Sequence, residues 1–137
     1  MPATNPRSLH TQQIHYLRKS VNYNDAGIST GVLFGTLPAG AQILPFASTI
    51  SIRTAFNAAT TNNLLIGTTA AGNDICATAD SAAGTTGIKT LALATVTTNG
   101  YRAADTDLFV TYTQTGAVAT AGIATITIAF SVNNDIS

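Results

Sequence analysis

From residue 108 to residue 132 the chain alternates between apolar and polar residues in two separate runs. Leu108, Val110 and Tyr112 alternate with Phe109, Thr111 and Thr113, and Ile126, Ile128, Phe130 and Val132 alternate with Thr125, Thr127, Ala129 and Ser131. A period of two is the pleat of a β-strand with one face buried, and no helix can gather such a pattern on one side. The link at 115–122 is bounded by Gly116 and Gly122. Its length and its glycines predict an antiparallel hairpin between the two runs.

The rest of the chain is punctuated in the same way. Residues 31–37 form a short apolar run, and Leu37, Pro38, Ala39 and Gly40 fit a type I turn with proline second and glycine fourth. Across 42–56, Phe46, Ile50, Ile52 and Phe56 recur at even spacing, with Thr49, Ser51, Arg53 and Ala55 opposite them, so a half-buried strand is predicted. Further strands are expected at 64–67 and 88–98, the second carrying Leu91, Leu93 and Val96 with a bulge near Ala94. Seven or eight such strands separated by Gly, Asn and Pro predict an all-β fold, an antiparallel β-sandwich or jelly-roll-like body.

Charge is scarce, and its placement is uneven. Charged residues are 9% of the chain and none is Glu, against roughly 25% in an ordinary soluble domain. That shortage excludes charge-rich disorder and long solvated helices. A net charge of zero also argues against a basic nucleic-acid-binding domain. Yet residues 1–20 hold Arg7, Arg18 and Lys19 with no acid, while three cations against six aspartates leave the remainder at −3. Residues 1–20 are therefore read as an extended N-terminal arm, with 13–23 leading into a body at 21–137. Cys76 is the only cysteine, so no intrachain disulfide is expected. No apolar stretch resembles a secretory signal or a membrane span, which predicts a chain made in a cytosol and without membrane contact.

Catalytic chemistry finds no foothold. His10 and His15 are the only histidines, both lie in the arm, and their spacing of five does not put them on one helix face. Without further thiols they lack partners for a zinc site, and a triad would have to recruit its base from the arm. Asp105 and Asp107 have the spacing of a loop that could touch a cation, but a turn entering the strand at Leu108 explains them more simply. No phosphate-cradling glycine motif occurs. No catalytic residue, cofactor or metal site is expected. Tyr112 shares the face of Leu108 and Val110 and is assigned to the core, and Tyr16 and Tyr23 are expected to anchor the leading segment to the body.

A surface of Thr, Ser, Asn, Gly and Ala at zero net charge lacks the repulsion that keeps copies apart and costs little to desolvate. Against that background, LPAGA at 37–41, TAFN at 54–57, LLIGTT at 64–69 and VTYTQTGAVATAGIATITIAF at 110–130 resemble segments of capsid decoration (cement) proteins of tailed bacteriophages. The resemblance covers about residues 21–132 and consists of strand and turn patterns. It implies a β-sandwich or jelly-roll body, often trimeric, seated on the outside of a phage head between capsomers. The implied partners are the major capsid protein and the chain itself as a homotrimer, in a virion assembled in bacterial cytoplasm. In that setting Arg7, Arg18 and Lys19 are expected to hold the shell or a neighbouring copy, with His10, His15 and Tyr16 as further contacts. A receptor- or glycan-binding module of a head or tail fibre is the competing expectation.

Overall fold

A computed structural model describes residues 13–76, 82–91 and 100–132. Eight strands run through them: β1 (His15–Asn22), β2 (Val32–Leu37), β3 (Gln42–Ile43), β4 (Thr49–Thr54), β5 (Thr61–Gly67), β6 (Gly87–Thr90), β7 (Thr106–Thr115) and β8 (Ile123–Ser131). The first sheet has the order β1-β8-β4-β6, with β3 pairing the far end of β8 beside β4. The second has the order β2-β7-β5. Every pairing is antiparallel. The two sheets form an all-β, sandwich-like arrangement, and β1 runs across the Ser20–Val21 position where the arm was expected to meet the body.

The alternation that predicted β7 and β8 places the core between the sheets. Leu108 and Val110 from β7, and Ile126 and Ile128 from β8, are fully buried. Each such side chain contributes about 1.5–3 kcal/mol by leaving water. Phe56, just beyond β4, packs its ring 4.6 Å from that of Tyr112 in β7 and so ties one sheet to the other. At one edge a Cβ on Gly35 would stand 3.0 Å from Leu17, so the missing side chain lets β1 and β2 close together.

The predicted hairpin is not formed. β7 is the centre of the second sheet and β8 the centre of the first, so the link between them arches across the core. A hairpin would lay both apolar faces on one side of one sheet, whereas the arch sets them face to face. Gly116 (φ +85°) and Gly122 (φ +151°) supply backbone that other residues rarely adopt, and a Cβ on Gly122 would overlap the Phe56 ring. Asn57 holds the arch. Its Oδ1 accepts the amides of Thr120 and Ala121 at 2.8 and 2.9 Å, and its Nδ2 donates to Thr120 Oγ1 at 3.0 Å.

Two further expectations are corrected. Phe46 lies in a single 3-10 turn at Pro45–Ala47 and is 76% exposed, because Pro45 interrupts the strand expected across 42–56. Ser48 then turns inward and both accepts from and faces the backbone of Ala129, while donating to Leu44 O at 2.8 Å. The turn near Pro38 comes one residue late: Ala41 N donates to Pro38 O, with Gly40 third at φ +83°. That is the requirement of a type II turn, not type I. The strand expected at 88–98 is seen as β6 with Leu91 buried after it, and Leu93, Ala94 and Val96 lie outside the described residues.

Candidate functional site

Cross-strand registers divide the first sheet into rows whose side chains share a face. One inward row runs Lys19, Ile126, Ile50, Lys89, a lysine on each edge strand flanking two fully buried isoleucines. The next row runs Arg18, Thr127, Thr49, Thr90 on the outer face, and beyond it lies Ser20, Thr125, Ser51, Ile88. The hydroxyls of Ser20 and Thr125 are bonded at 2.9 Å. Tyr16 (57% exposed) and Ile88 (72%) stand at opposite edges of this outer face. The result is a hydroxyl-lined surface with apolar rims and few charges, although Thr125 (6% exposed) and Ala129, outward on central β8, are buried.

The residues singled out in the arm do not form one cluster in the described structure. Arg7 and His10 lie outside the described residues. Tyr16 and Arg18 point outward and are exposed, so Tyr16 does not anchor β1, whereas half-buried Tyr23 packs against the core. Lys19 and His15 are on the opposite, inward face. His15 stacks on Phe130 at 5.8 Å, and its Nε2 is buried without a hydrogen-bond partner. A charge pointing inward on an edge strand obstructs the addition of a further strand, and Lys19 and Lys89 occupy matching positions for that. Sequence reasoning missed the threonine rows. Their signal was present in the polar positions of each alternating run, which it treated only as the side opposite the core.

The second sheet is finished differently. Thr111 points outward from β7 and is nevertheless fully buried, because the 68–74 loop folds back over it and Ala71 N donates to its Oγ1 at 3.1 Å. Asp74 fixes that loop by accepting Thr68 N and Thr68 Oγ1, both at 2.8 Å. Asp105 accepts Ala39 N at 2.8 Å and Asp107 accepts Thr36 Oγ1 at 2.6 Å, so both carboxylates brace the β2–β7 end.

Among the described residues no group of three or more His, Cys, Asp or Glu side chains is placed to hold a metal ion. Clefts of about 280 Å³ beside Tyr23 and Gln114 and about 370 Å³ beside Asn62 and Thr85 are lined by no His, Cys, Asp or Glu. They sit at the small end of ligand pockets, and their only titratable groups are the phenols of Tyr23 and Tyr112 in the first. Burial raises the Tyr112 phenol above its usual 10.0. Its hydroxyl donates to Asn62 Oδ1, which is a core role.

No family model matches this chain, and no curated protein matches it. Among solved structures it is similar to a chain described as "Cyanophage Pam1 capsid asymmetric unit". The likeness has a TM-score of 0.64 at 16% identity and covers 97% of this chain and 94% of that one. At such identity the likeness is one of fold, extending over nearly the whole of both chains.

Proposed function

We propose that this chain is a structural protein of a phage virion that decorates and stabilises the outer surface of the capsid. On this reading it binds between capsomers as a homotrimer, its partners being the major capsid protein and its own copies. It is synthesised in the host bacterial cytoplasm and incorporated there. The observation that carries the reading is the nearly full-length likeness to a chain from a cyanophage capsid unit. The sequence patterns at 37–41, 54–57, 64–69 and 110–130 point the same way.

Residues 1–12 clasp the shell or a neighbouring copy through Arg7 and His10, with outward-facing Tyr16 and Arg18 of β1 as further contacts. His15 and Lys19 instead turn inward and serve the sandwich itself. Each contact is weak, but a tethered segment meets its site at high effective concentration, so modest affinities multiply. The hydroxyl-lined outer face of the first sheet adds area that is cheap to desolvate.

Co-sedimentation of the purified protein with empty heads tests this reading. Saturable binding at a fixed ratio to capsomers is expected, and absence of binding to heads would overturn it. Deletion of residues 1–12 tests the clasp, because β1 begins at His15 and a cut at residue 20 would strip an edge strand from β8. The shortened protein is expected to fold and to lose head occupancy. Wild-type occupancy would rule the clasp out.

A further inference from the structure

The four exposed charged side chains among the described residues, Arg18, Arg53, Asp105 and Asp107, are segregated across the sandwich. Arg18 sits on the outer face of the first sheet, and Arg53 is exposed at the bulge between Ile52 and Thr54, where β4 shifts register against β8. No acid occurs in the outward rows of that sheet, and half-buried Asp25, just after the end of β1, is engaged by the amide and side chain of Asn22. On the other side Asp105 and Asp107 stand at the β2–β7 end of the second sheet, and Asp74 lies in the loop after β5. Arg102 stands at the same end with its Nε 3.3 Å from Thr106 Oγ1, which leaves that end net negative. Both surfaces carry apolar anchors. Tyr16 and Ile88 flank the cationic face, while Leu33, 52% exposed, pairs with Phe109 beside the acidic end.

We propose that the outer face of the first sheet docks onto the acidic β2–β7 end of another copy of this chain, head to tail. Sign decides the geometry. Two copies meeting through the same face would set Arg18 and Arg53 against their own equivalents, or the aspartates against theirs. Only a heterologous contact brings opposite signs together, and such a contact closes into a ring when its rotation permits. The threonine and serine rows bring no further charge to be desolvated, and Tyr16 is the exposed aromatic suited to anchor the contact. This deepens the self-association part of the proposed function and rests on it, but it makes no use of the shell.

The test is sedimentation velocity of the full chain without heads, over a concentration series at low salt. Wild type is expected to associate, and to do so less as salt rises. R18E/R53E and D105K/D107K are each expected to weaken association by about tenfold or more. Their equimolar mixture is expected to regain it in part. The acidic end kept by the first variant meets the cationic face kept by the second, and the two reversed surfaces match each other, while neighbours of the same variant repel. A wild-type chain that stays monomeric, variants that associate like wild type, or a mixture no better than its components would each overturn the proposal. Asp105 and Asp107 also brace the β2–β7 end, so circular dichroism must show that the lysine variant is folded. If it is not, D105N/D107N replaces it, and undiminished association of that variant overturns the proposal. Head binding is measured separately, so a monomer that still decorates heads defeats this contact while leaving the capsid reading intact.

Discussion

The first sheet leaves Arg18, Ser20, Thr90 and Ile88 exposed on its outer face, whereas the second draws the 68–74 loop over Thr111 and buries Leu65 beneath its own chain. Their edges differ as well. Each edge strand of the first sheet turns a lysine inward, but β2 carries no charge and exposes Leu33. A face that the chain roofs for itself is not offered to a partner. A face kept open, polar and protected at its margins against stray strand pairing is suited to one flat contact.

The largest effect should come from the shared core, where the two sheets cease to be separate. Ile126→Ala in the first sheet and Leu108→Ala in the second are each expected to cost about 2–5 kcal/mol, measured by urea unfolding. One transition for both variants is expected, and a split transition would divide the sandwich into independent sheets. Next comes the roof. Thr111→Val removes the acceptor for Ala71 N and should cost about 1 kcal/mol. Hydrogen exchange should accelerate at 68–74 and not at β8, and uniform acceleration would mean that the roof is not a separate device.

Tyr112 supplies a pH test specific to the second sheet. Burial raises its phenol above 10.0, so the fold retains the neutral ring more tightly than the unfolded chain does. Its contribution is therefore complete below pH 10 and declines as pH rises past 10 toward the folded value. Tyr112→Phe should flatten that decline in a pH series of unfolding midpoints, and an unaltered slope would assign it elsewhere. The smallest effect on stability is expected at the edges. Replacing Lys19 and Lys89 together by valine should change unfolding by no more than about 0.5 kcal/mol, yet raise light scattering on storage. Equal scattering before and after would show that the lysines do not guard the first sheet.

Much of this contrast was legible in residues, though not the part that decides topology. Alternation found β7 and β8 because each buries one face, but it carries no record of whether two strands pair edge to edge or meet face to face. That choice depends on Asn57 gripping the arch from 63 residues away in sequence, a contact no local pattern announces. Phe46 was misplaced because even spacing was counted through Pro45, whose missing amide should have broken the run. Arg18 and Lys19 were grouped by sign, although adjacent strand residues must face opposite ways. The open face was missed for a related reason, since reading a strand for its core treats the other side as remainder.

The central place of β8 has a consequence for how the protein is made. Its hydrogen-bonding partners β1, β3 and β4 all precede it in the chain, and Ser20 meets Thr125 across 105 residues. While synthesis proceeds, three early strands must wait without the neighbour that joins them. Contacts of such long sequence separation form slowly. The nascent chain is therefore exposed to premature pairing until residues 123–131 have left the ribosome, and only then can the first sheet close in a single late step.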